Sequence, residues 1–328
     1  MQTRILAKNG PKVSAIGLGC MAMSEFYGKS DDAVSKKIIL KALELGITMV
    51  DTADTYGLGH NEILIGKVLK EWPEEVFIAT KFGIVRKPGE YARTICGKPE
   101  YVRSSVEDSL RRLQVETIDL FYIHRIDQSV PIEETVGAMS DLVHAGKIKY
   151  IGLSEPSVAT LLKAHAVHPV TAVQSEYSLF TRDVENELLP ALRQNGIGFV
   201  SYSPLGRGFL TGKIEKESIN RPDDFRQFLP RSQGDNYAHN MNLVNNLKKF
   251  ARRKEVTLAQ VALSWILAQG EDIVPIPGTR HLTYLEENIA ATNIELSDKE
   301  IEQLETIFYP GAVMGERYTA EGMAGVNR

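Results

Sequence analysis

Eight short apolar runs recur along the 328 residues of this chain: SAIGLG, TMVDTA, VFIATKF, DLFYIHR, KYIGLS, TAVQSE, GFVSYS and DIVPIP. Each is nearly continuous rather than alternating, as a strand buried on both faces of a parallel sheet should be. Between the runs lie segments of helical period. Their stripes fall at Val34, Ile38, Ala42 and Leu45, at Val102, Val106, Leu110 and Leu113, and at Ile132, Val136, Met139 and Val143. Such stripes pack helices onto a core. Alternating strands and helices predict βα units, and eight of them close a (β/α)8 TIM barrel.

The punctuation agrees with this period. Ser30 before an acidic turn and Gly46 after Leu45 bracket the first helix, and Pro131 and Gly146 bracket another. Ahead of the repeating units, TRILAKNGPKVSAI places Asn9-Gly10 between two strand-like runs, which predicts an N-terminal β-hairpin. Two segments exceed the scheme: a long loop after the seventh strand, 206–237, rich in Gly, Pro, Arg and Phe, and a C-terminal extension from 311. Long irregular segments in a compact domain are lids, binding loops or disordered tails. No linker or shift of composition divides the chain, so residues 1–328 are expected to form one domain.

A competing architecture fits in part. Gly17-Leu18-Gly19-Cys20-Met21-Ala22 has the G-x-G-x-x-A pattern of a dinucleotide-binding turn, and Asp51 ends the next strand. That motif requires a helix to begin at the glycines, so that its N–H groups face a pyrophosphate. Here SEFYGKS intervenes, and eight βα units exceed the six strands of the usual sheet.

Hydrophobic residues at 43%, charged residues at 24% and a net charge of −4 describe a globular chain with a full core and no nucleic-acid or membrane surface. Arg111-Arg112, Lys248-Lys249 and Arg252-Arg253-Lys254 read as solvated helix faces. Cys20 and Cys96 lie far apart without a C-x-x-C, which suggests reduced thiols in a cytoplasm, with Cys20 a small packed residue near the barrel mouth. No export signal opens the chain and no apolar stretch reaches the roughly 18 residues of a membrane span. His165 and His168 are expected at the surface for want of further ligands, and Asp51 with Asp54 lacks a third metal ligand. Asp54 reads instead as a turn residue bonding its own backbone. No helix shows an unpaired apolar face that would set an oligomeric state.

Barrel chemistry collects where the strands end. The second strand ends at Asp51 and leads to Tyr56, the third ends at Lys81 and the fourth at His124. An acid, a phenol, an ammonium and an imidazole are thereby aimed at one mouth. Moving a phenol from about 10 to near 7 requires about 4 kcal/mol. An ammonium at about 4 Å supplies about 1 kcal/mol in water and about 4 at an effective dielectric of 20. Lys81 is therefore expected to tune Tyr56 only if both are withdrawn from solvent, with Asp51 holding the lysine. In that arrangement Tyr56 gives a proton to a carbonyl oxygen and His124 orients the same oxygen.

On GLGCM, VDTADTYG, ATKFG, DLFYIHR, GKIKYIGLSE, QSEYSLF, SYSPLGRGFLTG and IPGT, in this order, the chain resembles the aldo-keto reductases along nearly its whole length. The resemblance implies a (β/α)8 barrel that reduces an aldehyde or ketone with a nicotinamide cofactor, and Asp51, Tyr56, Lys81 and His124 as its catalytic tetrad. It further implies that Ser154 and Gln174 hold the carboxamide and that Tyr202 stacks on the nicotinamide. Many relatives carry Asn after the serine, where this chain has Glu155. Ser203, Pro204, Leu205, Gly206, Arg207 and Gly208, with Gly278 and Thr279, fall where a pyrophosphate would lie. Arg280 resembles the residue that holds a 2′-phosphate, which favours NADPH, and Glu287 and Asn288 match adenine contacts. Substrate choice is expected from Tyr27, Tyr91, Phe209, Phe225, Phe228 and the tail, whose aromatic character suits an apolar or aromatic carbonyl. Some members instead resemble channel subunits that keep the cofactor as a sensor with little turnover.

Overall fold

The computed structural model describes residues 1–87 and 93–327. A hairpin pairs β1 (Thr3–Ile5) with β2 (Lys12–Ser14) across the Asn9-Gly10 turn, with Asn9 at φ +62°. The repeating part then runs β3 (Leu18–Gly19), α1 (Asp32–Glu44), β4 (Met49–Asp51), α2 (His60–Leu69) and β5 (Phe77–Phe82). A second hairpin, β6 (Ile84–Arg86) with β7 (Arg93–Ile95), precedes α3 (Pro99–Leu113) and β8 (Ile118–Ile123). There follow α4 (Ile132–His144), β9 (Ile148–Ser154), α5 (Val158–Val167), β10 (Val170–Glu176), α6 (Leu188–Asn195) and β11 (Gly198–Tyr202). The chain ends with α7 (Lys216–Ile219), α8 (Gly234–Lys254), α9 (Leu258–Ala268), β12 (Ile273–Pro275), α10 (Leu282–Ala290), α11 (Asp298–Ile307) and α12 (Ala320–Ala324).

The eight expected strands form one sheet, ordered β12-β11-β10-β9-β8-β5-β4-β3, with every neighbour parallel. Its ends meet through Gly17 N–H to Pro275 O at 3.0 Å and Gly19 N–H to Pro277 O at 3.3 Å. Glycine is needed at this seam: a Cβ on Gly19 would stand 2.7 Å from Ile276 O, and one on Gly278 2.6 Å from Gly19 O. The (β/α)8 fold is as expected, and the Rossmann pattern fails on its own requirement. Only a single 3-10 turn, Met21–Met23, follows Gly19, and α1 begins at Asp32.

Alternate strand residues divide the core in two, as a period of two requires. Met49, Ala79, Leu120, Tyr122, Ala172, Val200 and Val274 fill the barrel interior together with Leu6 and Val13 of the first hairpin. Val50, Ile78, Phe121, Ile151, Val173 and Phe199 join the layer under the helices.

Local expectations need correction in three places. Val34 is 44% exposed, and the buried stripe of α1 runs through Ser35, Ile38, Ile39, Ala42 and Leu43. The cap of α1 is Asp31, whose carboxylate accepts from Val34 N–H at 2.9 Å, rather than Ser30. The irregular segment after β11 ends at Gln233, because α8 starts at Gly234 on a face whose first buried residue is Asn240.

Candidate active site

The period of two that fills the barrel also builds its mouth. One inward position beyond Met49 is Asp51, beyond Ala79 is Lys81, beyond Tyr122 is His124, beyond Ala172 is Gln174 and beyond Val200 is Tyr202. The strands are therefore the reason these side chains converge. Tyr56 joins them from the turn after β4, where Gly57 and Leu58 take left-handed φ angles of 57° and 55° before α2.

Lys81 is fully buried behind this layer, and its ammonium donates to Asp51 Oδ1 at 2.5 Å, Thr52 O at 2.7 Å and Tyr56 Oη at 3.3 Å. Gln174 Nε2 donates to the other oxygen of Asp51 at 2.7 Å. The Tyr56 and His124 rings meet edge to face, with centroids 5.8 Å apart. The four residues expected as a tetrad thus stand together.

The electrostatics differ from the expectation that Lys81 lowers the phenol. Burial first, and then the Asp51 charge, hold Tyr56 well above its ordinary value, while Arg125 pulls the other way. Burial also lowers Lys81 and raises Asp51, and their mutual attraction opposes both shifts. With a carboxylate on the ammonium, little positive field remains for the phenol. Tyr56 is a neutral phenol, which is the proton-donating form. Asp54 lies apart, its carboxyl accepting from Thr55 N–H and raised well above the usual range by burial and then by the Glu62 charge.

These residues open into a cleft of about 990 Å³, at the upper end of the roughly 300–1,000 Å³ of ligand sites. Ser154, Gln174, Tyr202, Ser203, Pro204 and Leu205 line it, as do Arg207, Gly208, Gly278, Thr279, Arg280, Glu287 and Asn288. Gly206 does not: it lies behind the wall against Leu210 and Phe180, its φ of 55° turning the loop. Arg280 caps the rim by donating to three backbone oxygens, of Tyr27 at 2.6 Å, Gly28 at 3.2 Å and Lys29 at 2.5 Å. Arg207 is not a loose loop arginine. It pairs with Glu176 at 2.8 Å and lies over the rings of Tyr318 and Phe225. Tyr27, Phe225 and Phe228 line the cleft, Phe209 is buried in the core instead, and Tyr91 lies outside the described residues.

Sequence reasoning missed what surrounds Tyr202. Its hydroxyl donates to Glu155 Oε1 at 2.7 Å and shares a hydrogen bond with Tyr318 at 2.9 Å. Glu155, at φ +55°, is gripped by both terminal nitrogens of Arg317 at 2.7 Å each. Glu155 therefore props Tyr202 from behind rather than presenting a carboxamide substitute to the cleft. Glu176 likewise holds Arg231 as well as Arg207. Arg125, directly after His124, lines the cleft and was also missed; its only sequence signal is a charge adjoining a strand-end histidine.

The aldo/keto reductase family model matches residues 15–308. A probable aldo-keto reductase 1 of Glycine max is 48% identical over 317 residues, 95% of this chain and 90% of its own. The aldo-keto reductase yakc (NADP(+)) of Schizosaccharomyces pombe is 42% identical over 311 residues, 93% of this chain and 92% of its own. Among solved structures, the glycerol dehydrogenase AKR11B4 of Gluconobacter oxydans superposes with a TM-score of 0.86 at 30% identity, covering 93% of this chain and 94% of that one.

Proposed function

The chain belongs to the aldo/keto reductase family, oxidoreductases of carbonyl compounds, and on that premise we propose that it reduces aldehydes or ketones to alcohols with NADPH, using Tyr56 as general acid. The observation that carries this reading is the buried constellation in which Lys81 touches both Asp51 and Tyr56 beside His124.

The residues suit the cofactor. The cleft offers about 990 Å³ and a donor set suited to a dinucleotide, with Ser154 and Gln174 beside the tetrad, Gly278 and Thr279 along the wall and Arg280 at the rim. Arg280 makes only backbone hydrogen bonds among the described residues, so its charge is available to a 2′-phosphate. The NADP(+) in the name of the Schizosaccharomyces pombe relative supports the same choice. Glu287 and Asn288 would face the adenine. When bound, NADPH supplies the hydride.

The protein's own part is to hold the carbonyl and deliver a proton. His124 donates a hydrogen bond that orients the oxygen, and the phenol of Tyr56 passes its proton to that oxygen as negative charge grows there. Lys81 and Asp51 fix the phenol's position from behind, and Gln174 fixes Asp51. No helix among the described residues is long and apolar enough to cross a membrane.

The test is Tyr56→Phe, which keeps the ring and removes the proton. Reduction of a reactive aromatic aldehyde, followed by loss of NADPH absorbance, should fall by about 10²–10⁴-fold, and NADH should serve less well than NADPH. Turnover unchanged in a folded Tyr56→Phe protein would refute the assignment. Tight cofactor binding without turnover in the native protein would instead indicate a sensor.

A further inference from the structure

Four guanidinium groups gather at the end of the cleft where the catalytic strands finish, and three of them have carboxylate partners. Arg317 takes both oxygens of Glu155, while Arg207 and Arg231 share Glu176. The fourth, Arg125, makes no ion pair among the described residues. It is only 7% exposed yet lines the cleft. Its Nη1 donates to His124 O at 2.6 Å and to Ser154 Oγ at 3.2 Å, and its Nη2 reaches Tyr318 Oη at a long 3.4 Å. Its buried Nε has no hydrogen-bond partner.

A buried charge without a counter-ion is costly and is usually paired. Here Glu155 and Glu176 already hold the other three guanidinium groups, so the side of Arg125 that lines the cleft is left to meet an anion brought by a ligand. The cofactor's phosphates are poor candidates. Their expected residues, Ser203 to Gly208 and Gly278 to Arg280, follow β11 and β12; Arg207 shares the Tyr318 neighbourhood but is already paired with Glu176, whereas Arg125 follows β8 directly after His124. What lies beside His124 in the proposed reaction is the substrate.

We propose that Arg125, flanked by Tyr318 of the tail, binds a carboxylate carried by the carbonyl substrate, so that the preferred substrates are aldehydes or ketones bearing an acid group. Arginine suits this role because its planar fork meets a carboxylate with two parallel hydrogen bonds. The inference rests on the carbonyl-reductase reading and narrows its substrate class. Tyr27 and Phe225, packed edge to face on the cleft wall, offer an apolar surface to the body of the same molecule.

The experiment compares the ortho, meta and para carboxybenzaldehydes with their methyl esters, which keep the aldehyde and remove the charge, on the NADPH-loaded protein. The native protein should favour at least one acid over its ester by about tenfold or more in kcat/KM, the scale of one charge-assisted hydrogen bond. In Arg125→Gln that acid-to-ester ratio should drop by about tenfold or more, chiefly through KM, and Arg125→Lys should fall between. No preference in the native protein, or a ratio that Arg125→Gln leaves unaltered, overturns the proposal. The native comparison needs no variant, so a misfolded Arg125→Gln does not shelter it. Should the esters turn over without any acid preference, the carbonyl-reductase reading stands and this inference falls. Should neither turn over, calorimetry with benzoate decides: binding lost in Arg125→Gln and weakened in Arg125→Lys supports the subsite, and binding absent from the native protein or unaltered in Arg125→Gln overturns it.

Discussion

At Tyr56 the burial that keeps water from the proton also keeps the proton on the oxygen. The phenol's raised pKa has a direct kinetic consequence, whose sign follows from which form works in each direction. In the proposed role of Tyr56, reduction uses the protonated phenol, which is fully populated below the raised value, so kcat/KM for reduction should not fall with this group's ionisation even through the ordinary tyrosine range near 10. Oxidation of the alcohol uses the phenolate, whose fraction rises about tenfold per pH unit below the pKa, so kcat/KM for oxidation should climb with a slope near one. A reduction profile falling with a midpoint near pH 8, absent in Tyr56→Phe, would contradict the burial argument. The residues of this site were legible because each sits at a strand end in a run that reads clearly, as in ATKF and FYIH. Their charges were not. Whether Lys81 lowers Tyr56 depends on Asp51 lying 2.5 Å from the ammonium and raising the phenol itself, and spacing along the chain carries neither quantity.

Elements were readable in kind and less so at their ends. The helix of α1 was evident from its period, yet KSDD offers several caps, and Asp31 holds Val34 N–H while Ser30 does not. Val34 was placed on the stripe by its spacing from Ile38, but the buried face of α1 runs through Ser35, Ile38, Ile39 and Ala42 and turns Val34 away from it. At α11 the capping box gives a measurable case. Glu300 accepts from Ser297 N–H at 2.8 Å, from Ser297 Oγ at 2.9 Å and from Lys254 Nζ at 2.8 Å. The lysine hydrogen bond, and then the backbone one, depress Glu300 to about 2. A depressed acid stabilises the fold above its unfolded value, near 4.3, and loses that contribution as pH falls toward about 2. Glu300→Gln should therefore cost under about 1 kcal/mol at pH 7, given the solvent exposure of the pair. The deficit should shrink in urea titrations repeated at pH 5, 4 and 3. A deficit that grows on acidification would have the wrong sign.

Across the whole molecule, local patterns predicted the barrel because each strand and helix carries its signal in its own few residues, and they were silent about the tail because it is held by side-chain contacts with distant residues. Arg317 lies 162 positions from Glu155, and nothing in GERYTA announces a buried ion pair. The structure fastens the tail to the end of β9 three times: Arg317 grips Glu155, Ser157 N–H donates to Asn327 Oδ1 at 2.8 Å, and Asn327 N–H donates to Glu155 O at 3.2 Å. Through Glu155 the tail also bears on Tyr202, and through Tyr318 on Arg125. Removing one partner of a buried pair leaves the other charge desolvated, which costs about 3–5 kcal/mol. Arg317→Leu should lose stability on that scale in denaturant unfolding, with kcat reduced as Tyr202 loses its support. Replacing both partners, in Arg317→Leu with Glu155→Leu, removes the stranded charge and should recover a large part of the stability. It should not recover activity, because the double variant also lacks the Glu155 carboxylate that accepts from the Tyr202 hydroxyl. A single variant that loses less than about 1 kcal/mol, or a double variant no more stable than the single, would mean that the tail is held by its other contacts and that the ion pair serves only Tyr202.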